Sequence, residues 1–173
     1  MFGDGQSTPP VTSFIFGEEV EYIPSRLCYN MSKLSSVTIP KNVKKIENLV
    51  FENCTSLLSV TWNAKSCVGL EDTDDYYGVF GSYNNPASIV SLVFGGEVEH
   101  IPAYLCYGLE RLTFLTLPNS VTSIEPVAFF GCSSLTSVTI PNSVTSIGGG
   151  AFEGCSSLTP ITIPNSVTSI GHE

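Results

Sequence analysis

The chain repeats one phrase at a fixed step. PNSVTSIEPVAFFGCSSLTSVTI (118–140) runs straight into PNSVTSIGGGAFEGCSSLTPITI (141–163), and a third copy opens at Pro164 and reaches Ile170. Recurrence at so short and constant a step, from Pro118 to Pro141 to Pro164, leaves few folds open. Each unit is too short to bury its own apolar face and has to stack on the next copy. The apolar residues within a unit also keep one pattern, Leu135, Val138, Ile140 and then Leu158, Ile161, Ile163. The last two of each triplet are two apart, the period that puts both on one face of a strand.

The same period extends toward the N-terminus. The last inward residue of each triplet falls at Phe16, Ile39, Trp62, Phe94, Leu117, Ile140 and Ile163, with steps of 23 except for 32 between Trp62 and Phe94. Seven triplets predict seven strands in one parallel sheet. The chain is therefore read as a single array of seven coils over residues 1–173, with a nine-residue insertion within 63–88. A second inward pair follows each strand, as in Val43/Ile46, Val98/Ile101 and Val121/Ile124, and is missing only after Trp62. A longer period carries FIFGEEVEYIPSRLCY, from Phe14, onto LVFGGEVEHIPAYLCY, from Leu92. Neither end carries the polar cap that terminal repeats normally need, so a piece of a longer array is expected.

Turn chemistry is consistent from coil to coil. Pro40, Pro118, Pro141 and Pro164 follow the strand, where a missing N–H ends a ladder. An A-F-x-G-C piece then predicts a compact helical or 3₁₀ turn. It ends at Asn30, Asn53, Gly108, Gly131 or Gly154. A slot that accepts only Gly or Asn predicts a left-handed cap, because those residues reach positive φ at least cost.

Composition excludes several functions. The net charge of −9 opposes nucleic acid and anionic membranes, both of which call for basic patches. No run reaches the roughly eighteen apolar residues of a membrane span. The start, MFGDGQSTPP, has no basic and then apolar stretch, so no signal peptide is read in this chain.

The consensus L-x-x-V-x-I-P-x-x-V-x-x-I-x-x-x-A-F-x-x-C resembles the BspA-type (Treponema pallidum-type) leucine-rich repeat, over nearly the whole chain. TWNAKSC and EVEHIPAYLCYG resemble Bacteroidales members in particular. The resemblance implies a leucine-rich-repeat solenoid. This is a right-handed, β-rich α/β superhelix with its parallel sheet on the concave face and short turns and loops elsewhere. It also implies a cell-surface or secreted location, and adhesion to a host or neighbouring-cell surface protein or glycan. No catalytic residue belongs to the motif.

Candidate chemistry is sparse. Cys54, Cys132 and Cys155 share one slot, while Cys28 and Cys106 share another that holds Phe51, Phe129 and Phe152 in other coils. A slot that exchanges Cys with Phe is a core slot, which predicts buried thiols; disulfides between stacked coils are the alternative. Cys67 has no repeat counterpart. With no C-x-x-C and no His pair, neither a metal nor a cofactor is expected. His100 and His172 stand far apart along the chain and no Ser or Thr shows a partnered base, so no enzyme is read.

Binding positions are sought where the outward strand columns depart from Ser and Thr. One column reads Ile15, Thr38, Thr61, Val93, Thr116, Thr139, Thr162, and the other Ser13, Ser36, Ser59, Ser91, Phe114, Ser137, Pro160. Val93 and Phe114 break them on adjacent coils. The insertion adds Asp74, Asp75, Tyr76 and Tyr77, an acidic loop with two aromatics on the one coil of extra length. These six residues are the candidate ligand site of a non-enzymatic adhesion module. The alternative is a structural stalk that displays another domain and has no ligand of its own.

Overall fold

A computed structural model describes residues 10–68, 77–81 and 87–172. The chain is a parallel β-solenoid of about six turns. One column of strands comes from the triplets: Phe14–Ile15, Ser36–Ile39, Ser59–Trp62 and Ser91–Phe94 pair in that order, and Phe114–Thr116 pairs with Ser137–Thr139. The register is set by the repeat, with Val37 opposite Val60 and Val60 opposite Leu92. The V-T-I composition suits these strands because branched side chains pack well on a pleated surface.

Proline sets the strand lengths. Asn63 N–H donates to Ile39 O (3.0 Å) and Gly95 N–H to Trp62 O (2.8 Å). Pro118, Pro141 and Pro164 occupy the same slot and have no N–H to give. The strands at Phe114–Thr116 and Ser137–Thr139 accordingly stop one residue sooner. Each proline instead opens a four-residue turn, as where Val144 N–H donates to Pro141 O (3.1 Å).

Two expectations about the first column are corrected. The seven triplets do not form one sheet: the ladder is interrupted between Ser91–Phe94 and Phe114–Thr116. Pro118 has no donor for Phe94 O at that junction, and the interruption coincides with the bulky outward residues Val93 and Phe114. The seventh triplet, Leu158/Ile161/Ile163, forms no strand. Pro160 stands in its Ser slot, removing a ladder N–H and restricting Thr159 before it.

The second inward pairs make a second column. Tyr22–Ile23 pairs with Lys45–Ile46, and His100–Ile101, Ser123–Ile124, Ser146–Ile147 and Ser169–Ile170 pair in sequence order. In the insertion coil Val68 bridges to Lys45. It then rejoins the repeat at Gly78–Gly81, where Leu49 N–H donates to Gly78 O and Phe51 N–H to Val79 O. The Phe80 ring stacks on Phe51 at 5.5 Å. The insertion is thus two additions rather than one. The first lies between Phe51 and Phe80, which fill the same slot of successive coils at more than the usual step. The second lies between Phe80 and Ile89, a longer interval than the equivalent one from Phe51 to Leu57.

The compact turn is not helical, and no helix occurs among the described residues. Successive N–H groups of a helix all point along its axis toward its own earlier carbonyls. Here alternate ones leave for the next coil: Val127 to Gly149 O, Phe129 to Ala151 O and Gly131 to Glu153 O, at 3.0, 2.9 and 2.8 Å. Two residues per turn take positive φ to make that alternation. The expected caps are in place, at Asn30, Asn53, Gly108, Gly131 and Gly154 (φ 59 to 71°). A second left-handed column lies four residues earlier, at Arg26, Leu49, Tyr104, Val127 and Gly150 (φ 50 to 60°).

One apolar cluster fills the solenoid, running from Phe16 to Cys155, with Trp62, Phe51 and Phe129 among its fully buried side chains. All six thiols are free and buried, Cys67 included. Cys54, Cys132 and Cys155 each donate Sγ to a carbonyl of the preceding coil, at 3.1 to 3.2 Å. Burial first, then the nearby Cys54 thiol, pushes Cys28 up to about 12. Burial likewise pushes Cys67 up to about 12 and Cys54 up to about 11.

Candidate functional site

The inward residues of a solenoid coil are committed to its core, which leaves the outward face of the first strand column as a surface displayed on a rigid frame. Strand alternation turns Ser, Thr and their substitutes outward while Val, Leu and Ile turn inward. Burial follows that rule: Ser36–Ile39 reads exposed, buried, exposed, buried. Phe114 is 65% exposed and Val93 54% exposed. Phe114 lies opposite Ser137 in the ladder, and Val93 lies opposite Thr61. Both candidate residues therefore stand in the open, on adjacent coils, within a field of hydroxyl groups.

Leaving a phenylalanine ring in water forgoes about 1.5–3 kcal/mol of burial. Nothing in the packing calls for it, since the same slot in the neighbouring coils is filled by Ser91 and Ser137. Ile15 is a third departure in the same columns and is 89% exposed. A groove of about 220 Å³ beside it is lined by Ser13, Phe14, Ser36, Thr38 and Pro40 among others. It borders the N-terminal edge, where residues 1–9 lie outside the described part.

The insertion divides differently. Asp74, Asp75 and Tyr76 lie outside the described residues, and Tyr77 is half-buried at the point where the chain rejoins the repeat. Where it rejoins the repeat, the insertion coil is occupied with packing. Val79 and Phe80 fill the A-F slot of the motif, and Gly78 sits so close to Tyr104 O and Tyr107 Cβ that a Cβ there would fall 3.1 Å from each. Tyr107 in turn stacks on Phe130 at 5.1 Å.

A polar chain on the second column escaped the sequence reasoning. His100 Nδ1 lies 2.8 Å from Ser123 Oγ, and Ser123 Oγ donates to Glu125 Oε1 at 2.7 Å. The signal was available, because His100 and Ser123 are one repeat step apart and Glu125 is two residues beyond. Proton bookkeeping decides what it does. The serine has one proton and gives it to the carboxylate, so the imidazole donates to the hydroxyl oxygen and is not a base toward it. The order is also wrong for nucleophilic catalysis, with the hydroxyl between the imidazole and the acid instead of at the end.

Other polar contacts join neighbouring coils. Lys65 pairs with Glu99 at 3.2 Å and Lys44 with Glu21 at 2.6 Å. Tyr22 OH donates to Glu47 Oε1 at 2.6 Å. The hydrogen bond raises the Tyr22 phenol above its ordinary value; the same bond first, and Ser25 N–H second, hold the Glu47 carboxyl below the usual range. Among the described residues no group of three or more His, Cys, Asp or Glu is placed to hold a metal ion. No described helix is long and apolar enough to cross a membrane.

Comparison with known proteins agrees with this geometry. The chain is similar to a leucine-rich repeat protein of Treponema pallidum, with 24% identity and a TM-score of 0.69 over 92% of this chain and 73% of that one. It is also similar to a leucine-rich repeat protein from Bacteroides ovatus, at 22% identity and TM-score 0.70 over 94% of this chain and 43% of that one. These two likenesses establish the fold. A leucine rich cell surface protein from Faecalibacterium prausnitzii is 26% identical with a TM-score of 0.52, matching 80% of this chain. The chain spans about a third of that protein's length, 32%, and under half of the Bacteroides ovatus one. No curated protein matches. Six copies of the BspA type Leucine rich repeat region match residues 6–72 and 81–173. The chain belongs to the BspA-type leucine-rich repeat family.

Proposed function

We propose that this chain is a non-enzymatic binding module of a cell-surface protein, and that it meets its partner on the outward strand face around Val93 and Phe114. Its family and a similar protein described as a cell surface protein support an interaction role at the surface. The observation that carries the reading is the Phe114 ring, held on a strand and 65% exposed in a slot where five of the other six coils place serine. Strand-mounted residues lose little freedom on binding, so an aromatic anchor there keeps most of its contact energy. The Ser/Thr positions that fill most of the other coils offer little to distinguish one partner from another. Specificity then resides where the columns change.

The test is an array of extracellular-matrix proteins and glycans probed with the whole chain. Any hit is measured again with Phe114→Ser and, separately, with nine residues trimmed between Lys65 and Pro86. A hot spot at Phe114 costs about 2 kcal/mol or more. Loss on trimming alone assigns binding to the insertion that carries Asp74, Asp75, Tyr76 and Tyr77. If both variants fold and bind as the parent does, the face is not the site, and the uniform columns speak instead for a stalk.

A further inference from the structure

The chemistry of the outward strand face selects among partners. None of the fourteen positions in the two columns is acidic or basic. Around Phe114 the face presents Ser91, Thr116, Ser137 and Thr139, with Val93 on the adjoining coil. Each hydroxyl offers one donor and two acceptor lone pairs, repeated across the coils at the strand spacing of about 4.8 Å. At the centre stands one exposed aromatic ring.

The geometry points to an uncharged oligosaccharide as the ligand of this face, an inference that rests on the reading of the face as the binding surface. A sugar ring has an apolar C–H side that packs on an aromatic face and a rim of hydroxyls that exchanges hydrogen bonds with serine and threonine. It needs no ionic partner, and these columns supply none. The competing classes fit less well. A sulfated or sialylated glycan calls for a cationic partner, and neither column holds a lysine or arginine. A protein partner commonly gains specificity from charge pairs around its contact, and neither column supplies one. Val93 widens the apolar platform beside the ring without adding a polar group. The four hydroxyls then set the orientation of the saccharide on that platform.

The experiment is an array of uncharged linear and branched glycans beside sulfated and sialylated ones and extracellular-matrix proteins, with each hit followed by titration calorimetry. Phe114→Ser restores the residue that the repeat uses in that slot, so the variant keeps its fold, verified by circular dichroism. An uncharged glycan is expected to bind, with affinity reduced about tenfold or more by Phe114→Ser. Val93→Thr should reduce it by a smaller factor. A ligand that binds only when sulfated or sialylated overturns the inference. So does Phe114-dependent binding of a matrix protein without any uncharged glycan, although the strand face then survives as the binding surface. Uncharged-glycan binding that ignores both substitutions, or no binding at all, removes the inference and the strand-face reading together.

Discussion

Gly131 isolates the backbone strain on which the compact turn depends. Its φ is +71°, and a Cβ placed there would come no closer than 3.7 Å to the neighbouring coil, an ordinary contact. Substitution at this site is therefore a test of conformation with little added crowding. An L-residue in the left-handed region costs about 1–2 kcal/mol, part of it offset by the restricted unfolded chain. Gly131→Ala should lose about 1 kcal/mol and Gly131→Val about 2, because the branched side chain fits worst. Gly131→Asn should lose less than about 0.5 kcal/mol, as Asn30 and Asn53 occupy the same slot at φ 61° and 59°. Gly154→Ala should cost more than Gly131→Ala, since its Cβ would lie 3.2 Å from the Gly131 Cα. Urea unfolding followed at Trp62, the one tryptophan and fully buried, and by circular dichroism reads these differences. One kcal/mol moves the midpoint by about 0.5 M. Equal losses for Asn and Val, or none for Val, would refute the strain argument.

Three of the buried thiols make stability fall in alkali. Cys28, Cys54 and Cys67 keep their protons up to about 12, 11 and 12 in the folded chain, against an ordinary 9.0. Between those values the folded state binds more protons than the unfolded one, so stability should drop as pH rises above about 9. A flat denaturation midpoint from pH 8 to 11 contradicts this. Thiol titration near pH 8 should be slow in the native state and should reach six equivalents in denaturant. At the C-terminal end, Pro160→Ser should restore a ladder donor and slow hydrogen exchange across 158–163. Unchanged exchange there would mean that something other than the proline prevents the seventh strand.

The architecture was legible because the repeat states it many times. Val138 and Ile140 declare a strand face in one coil, and the same declaration recurs from coil to coil. The left-handed cap was legible for a related reason, since Gly131 and Asn53 are chemical evidence of positive φ. The second left-handed column was not. Arg26, Leu49, Tyr104 and Val127 carry no such mark, and their strain is sustained by hydrogen bonds from one coil to the next. A turn read from one coil looks helical, because the alternation of its N–H groups becomes visible only beside its neighbours. Pro160 stands in plain view in an outward column, yet its effect comes from its place on the ladder, where the missing N–H decides whether a strand forms.

The candidate face was legible as an exception to a pattern. Val93 and Phe114 are exposed, as the alternation required. Ile15 breaks the same column alone, with Thr38 on the next coil, and so lacks the adjacency that marks the other two. The His100–Ser123–Glu125 chain is invisible to a search for catalytic spacing along the sequence, because it is assembled across coils. In a solenoid, residues one repeat step apart are neighbours, and polar clusters have to be sought at that separation.

The central claim is that partners engage the strand face where its columns change. Hydrogen–deuterium exchange on the complex with whichever ligand the array identifies tests it most directly. Protection is expected over Ser91–Phe94 and Leu112–Leu117, centred on Val93 and Phe114, with the second strand column at Ser123–Ile124 and Ser146–Ile147 unchanged. Protection confined to the second column or to the compact turns, with Ser91–Phe94 and Leu112–Leu117 exchanging as in the free chain, contradicts it.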